Sequence, residues 1–148
     1  PQLAELATPI TIKMLLNHTA GFTYDFFSGS PVHELYQRED LWNSGSLDEF
    51  IKKVARLPLI SQPGEEYQYG INNDVLGLII QRVSGMSFEE YLAKHITGPL
   101  KMVDTSFDVP TEKMNRVATI HAQGANGKLA PTDPILGAYA EVGRGIPA

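Results

Sequence analysis

Cysteine is absent from all 148 residues, which excludes disulfides, thiol nucleophiles and thiolate metal sites while leaving the compartment open. Runs of positive charge are absent as well. Twelve Lys and Arg stand against 17 Asp and Glu, for a formal charge of −5. The basic residues are scattered, so the clustered positive surface that releases counterions from a nucleic acid is not expected. No apolar stretch reaches the roughly 20 residues that span a bilayer, and the first residues lack the charged-then-apolar pattern of a leader. His18, His33, His95 and His121 never fall into a His-Glu-x-x-His or comparable spacing, so neither a metal site nor a cofactor is implied. What remains, 43% hydrophobic and 20% charged, is the mix of one compact domain over residues 1–148 with a real core. Both ends, Pro1-Gln2-Leu3 and the loop-like stretch Gly143 to Ala148, read as mid-chain sequence, and a segment of a longer protein is expected.

The hydropathy pattern predicts a mainly α chain with one small β-hairpin. Thr11 caps a short helix carrying Ile12, Leu15 and Leu16, which runs into Asn17-His18-Thr19-Ala20-Gly21, with Gly21 as a positive-φ exit. Ser30-Pro31 puts proline at the first helical position, with Val32, Leu35 and Tyr36 following at helical spacing until the Asn43-Ser44-Gly45 break. Ser46-Leu47-Asp48-Glu49 reads as a capping box ahead of the apolar stripe Leu47, Phe50, Ile51 and Val54, in a helix that stops before Pro58. From Asn73 to Val83 the chain is apolar on most sides, which predicts a buried central helix closed by Ser84-Gly85, with Gly77 permitting close packing. A second capping box, Ser87 to Glu90, opens a helix with Phe88, Tyr91, Leu92 and Ile96 inward, ended by Gly98-Pro99. Val117 to Ala122 and Lys128-Leu129, flanking Asn126-Gly127, predict a hairpin with a primed turn, and Pro131 to Ala148 reads as loop.

The chemistry concentrates between Gln62 and Asp74, where a Pro63-Gly64 turn delivers Tyr67 and Tyr69 to the mouth of the apolar helix. A phenol there can shuttle protons, but a free phenol titrates near ~10 and needs partners to work at neutral pH. Trp42 with Phe22, Phe26 and Phe27 could line an acyl pocket, although aromatic clusters are more often core. Asp104-Thr105 reads as a structural turn.

Four ordered blocks carry a resemblance: Pro9 to Gly21, Pro63-Gly64-x-x-Tyr67-x-Tyr69, Asp74-Val75-Leu76-Gly77, and Gly98-Pro99-Leu100-Lys101-Met102-x-Asp104-Thr105-x-Phe107. Together they resemble the serine β-lactamase and penicillin-binding-protein superfamily over nearly the whole chain, closest to the class C-like branch that includes the family VIII carboxylesterases. The resemblance implies the middle, helical portion of the β-lactamase/transpeptidase-like fold, without most of its α/β sheet. It implies an acyl-enzyme mechanism in which a Ser-x-x-Lys serine attacks and Tyr69 moves its proton. No serine here has a lysine three residues later: Ser46 leads to Glu49, Ser87 to Glu90 and Ser106 to Val109. Nor is there a Gly-x-Ser-x-Gly elbow, or a Lys-Thr-Gly or His-x-Gly strand. By resemblance the first element would precede Pro1 and that strand would follow Ala148, leaving the chain inactive alone.

Within that resemblance Tyr67 is the aromatic that packs beneath Tyr69, and His18 belongs to a turn whose side chains hold the loop. Relatives with a Tyr-x-Asn element place an amide where this chain has Ile71, with Asn72 and Asn73 one and two places late. An apolar residue there is more like the esterase and acyl-transferase branches, so Ile71, Phe22 and Phe26 are the expected substrate contacts and carboxylic esters are favoured over β-lactams. The competing expectation is a non-catalytic helical module that binds an acyl ligand or a partner chain. In either case helices whose sheet is missing expose apolar surface, and self-association or pairing with the rest of the fold is expected.

Overall fold

The computed structural model describes residues 3–124 and 127–131. Five α-helices follow one another: α1 Ile12–Leu16, α2 Pro31–Glu39, α3 Leu47–Val54, α4 Asn72–Ser84 and α5 Phe88–Leu92. Their starts are local chemistry. Thr11, Ser30, Ser46 and Ser87 each accept a backbone N–H of the first turn, satisfying donors that have no helical partner. Ser87 and Glu90 form the full reciprocal box. At α3 only half of it forms, because the Glu49 carboxylate accepts from Gly45 N–H at 2.8 Å instead of from the cap residue.

The helix that starts at Phe88 is not uniform. After Leu92 it widens into a π turn over Ala93–Thr97, where Gly98 N–H donates to Ala93 O at 2.9 Å. Its expected inward face is only partly covered: no residue of α5 is buried and Ile96 is exposed. A 3₁₀ helix, Thr111–Arg116, leads to strands β1 His121–Gln123 and β2 Leu129–Pro131. These pair antiparallel, with Ala122 opposite Ala130. Gly124 N–H donates to Lys128 O and Gly127 N–H to Gly124 O, with Gly127 at φ 73°. The primed turn expected at Asn126-Gly127 rests on Asn126 as well as on Gly127. Asn126 and the expected loop from residue 132 onward lie outside the described residues.

The core sits between α1, α2, α3 and the first half of α4. It gathers Leu15, Ala20, Phe22, Tyr36, Leu41, Phe50, Val54, Ile71 and Val75, each large apolar side chain contributing about 1.5–3 kcal/mol when fully covered. Helix α4 is less central than its hydropathy predicts, since Val83 is exposed while Val75 and Leu78 are buried. Gly77 does permit close packing, against the Phe88 ring. No described helix is long and apolar enough to cross a membrane.

At Asp104-Thr105 the chain turns, with Thr105 N–H donating to Met102 O at 3.1 Å, and the element that follows is the 3₁₀ helix rather than the strand such a turn is expected to fix. Asp104 receives Lys113 at 2.9 Å and Arg116 at 2.7 Å. The Arg116 and Lys113 hydrogen bonds hold its carboxyl well below the usual carboxylate range. A cleft of about 180 Å³ lies beside this cluster, but both cations are already engaged by Asp104.

Candidate active site

Two stretches of chain far apart in sequence are joined side by side by backbone hydrogen bonds. Ile60 N–H donates to Gly21 O, Gly64 N–H to Thr19 O and Gln68 N–H to His18 O, at 2.9, 2.7 and 2.7 Å. The Pro63-Gly64 turn makes this possible. Glu65 N–H closes it onto Gln62 O, with Gly64 at φ 90° in the position of a type II turn that glycine favours. Beyond the turn, Gly70 lies directly against the backbone of Phe22 and Thr23. The result places Tyr69 next to the turn after α1 and at the entrance of α4.

Tyr69 is 46% exposed. Its ring lies 5.0 Å from the His18 imidazole and 5.3 Å from the Tyr24 ring. His18, at φ 57°, is held from below: Asn72, fully buried at the first turn of α4, brings its amide nitrogen to 3.0 Å from His18 Nδ1. With that amide as donor, Nδ1 is the acceptor and the imidazole proton sits on Nε2. Tyr24 is stacked with Phe26 at 4.8 Å and Trp42 at 6.0 Å, and its ring tilts against that of Tyr69 at 55°. Burial first, then the nearby Asp74 carboxylate, pushes the Tyr24 phenol well above its ordinary value.

Asp74 stands in the first turn of α4, and burial raises its carboxyl from 3.8 to about 6. A folded-state value above the unfolded one means that the native protein binds this proton more tightly. The stabilisation is full below about pH 4 and is lost as the pH rises through about 6. Asp74→Asn is therefore expected to flatten this part of the stability profile and to gain about 1–2 kcal/mol at pH 7. The gain is smaller than a fully buried carboxylate would give, because Asp74 is only half-buried and water still reaches it. Thermal melts of both proteins between about pH 4 and pH 8 read the difference; parallel profiles would remove Asp74 burial as the cause.

Of the residues singled out in the sequence, Tyr69 and Phe26 lie at the surface, linked through the Tyr24 ring. Ile71 and Phe22 do not join them. Ile71 is completely buried and Phe22 nearly so, both within the core, so their side chains support the site from beneath and offer no face to a substrate. Tyr67 is 66% exposed and packs on the His18 ring at 5.9 Å rather than beneath Tyr69. Beside Tyr69 the structure sets Tyr24 and His18, the latter against Asn72, a grouping that the sequence reading did not make. The available signal for Asn72 was its place directly after Ile71 at the helix mouth.

The β-lactamase family profile matches residues 1–146. The lovastatin esterase of Penicillium rubens is 31% identical over 139 residues, covering 94% of this chain and 33% of that protein. The acyltransferase mokF of Monascus pilosus is 30% identical over 138 residues, covering 91% of this chain and 33% of that protein. Among solved structures, unliganded simvastatin synthase (LovD) from Aspergillus terreus superposes with a TM-score of 0.74 at 28% identity, over 94% of this chain and 34% of that one. The chain thus spans about a third of the length of these relatives, and its described helices and hairpin are a part of their fold.

Proposed function

The chain belongs to the β-lactamase family, and on that premise we propose that it carries the proton-transfer residue, Tyr69, of a serine hydrolase acting on carboxylic esters through an acyl-enzyme. The observation that carries this reading is the placement of Tyr69: half-exposed at the head of α4, with its ring held by His18 and Tyr24. A phenol so placed is reachable by an incoming hydroxyl and restrained in orientation, the two conditions for general acid–base work. In the acylation step Tyr69 acts as the phenolate favoured by the cationic lysine of the Ser-x-x-Lys element: its oxygen takes the serine proton as the serine oxygen bonds to the ester carbonyl carbon, and passes it to the alkoxide oxygen as the ester C–O bond breaks. Water then repeats the sequence on the acyl-serine and releases the acid. An alcohol in place of water would make the same steps an acyl transfer. Similarity to one protein called an esterase and another called an acyltransferase supports an ester over a β-lactam or peptide amide.

The serine and its lysine partner are proposed to come from polypeptide outside these 148 residues. Fluorophosphonate labelling and p-nitrophenyl ester turnover test this. The chain by itself is expected to take up no stoichiometric label and to release no burst of product. A longer polypeptide that includes an upstream Ser-x-x-Lys is expected to do both. Stoichiometric labelling of a serine within residues 1–148 would overturn the proposal.

A further inference from the structure

Asn72 and His18 are each held in an unfavourable state that packing does not explain, and the two are bonded to each other. Asn72 is completely buried, yet its Oδ1 has no hydrogen-bond partner among the described residues, and a buried amide left half-satisfied is destabilising. Its side-chain nitrogen goes to His18 Nδ1 at 3.0 Å. His18 in turn holds φ 57°, a left-handed backbone that disfavours a side chain and persists only where the surroundings enforce it. Its carbonyl accepts Gln68 N–H at 2.7 Å, and its ring contacts both Tyr69, at 5.0 Å, and Tyr67, at 5.9 Å. With Nδ1 accepting from Asn72, the ring proton is on Nε2. That nitrogen has no partner among the described residues, and solvent reaches it. The strained turn and the buried amide therefore hold an unpaired N–H beside Tyr69.

We propose that His18 contacts the substrate: its Nε2–H donates a hydrogen bond to the alkoxy oxygen of the ester, and Asn72 is the residue that positions it. The inference rests on Tyr69 being the proton-transfer residue. The alkoxy oxygen must come to Tyr69, because it receives the proton that Tyr69 took from the serine, and His18 lies against that same ring. As the ester C–O bond breaks, its electron pair stays on the alkoxy oxygen. A donor already held there stabilises the developing charge without reorganising. The proton that completes the alcohol comes from Tyr69, and His18 keeps its own throughout. Asn72 sets the tautomer, since an amide N–H directed at Nδ1 excludes a proton on that nitrogen. The contact matters most for poor leaving groups: an alkyl alkoxide concentrates its charge on one oxygen, whereas a nitrophenoxide spreads it into the ring.

Two esters of one acid, ethyl butyrate and p-nitrophenyl butyrate, separate this role from mere support of the loop. His18→Asn is the informative variant, because asparagine tolerates the left-handed region and its Oδ1 can accept from Asn72, while nothing remains at the Nε2 position. In the longer, active polypeptide it is expected to lower kcat/KM about 30-fold for ethyl butyrate and about threefold for p-nitrophenyl butyrate. His18→Gln, whose amide nitrogen can donate from near the Nε2 position, is expected to recover part of the ethyl butyrate loss. Equal losses on the two esters, a larger loss on the p-nitrophenyl ester, or no loss on either overturns the proposal. Long-range ¹⁵N–¹H correlation of the His18 ring in its neutral form reads the tautomer without reference to activity. The wild-type chain is expected to show a protonated Nε2 and a bare Nδ1, and Asn72→Ala a mixture of the two tautomers. A protonated Nδ1 in the wild-type chain overturns the proposal, and if His18→Asn does not fold this measurement decides. Full activity in Tyr69→Phe would sink the catalytic reading of Tyr69, whereas an inactive Tyr69→Phe beside equal His18→Asn losses on the two esters would sink only the role of His18.

Discussion

Tyr69→Phe, made in the active polypeptide, is expected to lower kcat by about 10²–10⁴-fold while leaving KM within a small factor of wild type, the usual contribution of a positioned general acid–base. The substitution removes one oxygen and nothing else. The ring contacts with His18 at 5.0 Å and Tyr24 at 5.3 Å are made by the carbon skeleton, which phenylalanine keeps. A loss of rate therefore reports the hydroxyl and not a collapsed loop. Steady-state hydrolysis of p-nitrophenyl esters measures it, with circular dichroism confirming that the fold is unchanged. A kcat within a factor of two or so of wild type would mean that the ring alone matters and that another group moves the proton.

The second large effect concerns stability. Gly70→Ala is expected to cost about 3 kcal/mol or more, at the upper end of what overpacking does. A Cβ at this position would fall on the Phe22 carbonyl and the Thr23 nitrogen, and both are backbone atoms that no rotamer change can move aside. Relieving the clash means separating residues 18–23 from residues 60–70, the same contact that sets Tyr69 beside His18 and Tyr24. Gly77 provides the internal comparison, because an added Cβ there would meet only the Phe88 ring, at 3.3 Å, and a ring on a neighbouring helix can shift. Urea melts of the two variants measure the difference. Gly70→Ala melting together with wild type would show that the two segments can slide apart at little cost and that their close approach does not define the site.

The parts of the fold that were legible are those made within three or four residues. Thr11, Ser30, Ser46 and Ser87 cap their helices as expected, and Gly85 ends α4 in the left-handed region at φ 68°, because a cap involves a side chain and backbone groups already adjacent in sequence. Where a nearby competitor existed, the local rule failed. Glu49 had two N–H groups within reach and took that of Gly45, so α3 lacks the reciprocal bond that α5 has. The π turn at Ala93–Thr97 had no such signature, since an i→i+5 bond changes neither the composition nor the periodicity of so short a helix.

The site divides along the same line. That a tyrosine follows a Pro-Gly turn into an apolar helix is written in consecutive residues, and so is the resemblance that singles out Tyr69. What surrounds that phenol is not. His18 and Asn72 are 54 positions apart and meet at 3.0 Å. Tyr24 meets Tyr69 only because Gly70 has no side chain to keep Phe22 and Thr23 away. Ile71, apolar and next to the helix mouth, was equally compatible with a substrate wall or with the core; packing against Leu15, Phe22 and Val75 places it in the core. The sequence by itself determined where the helices start, the turn and the candidate phenol, because short-range hydrogen bonds and steric limits act between neighbours. Only the tertiary structure decided which groups hold that phenol, because burial and side-chain contact depend on segments that the chain brings together from far apart.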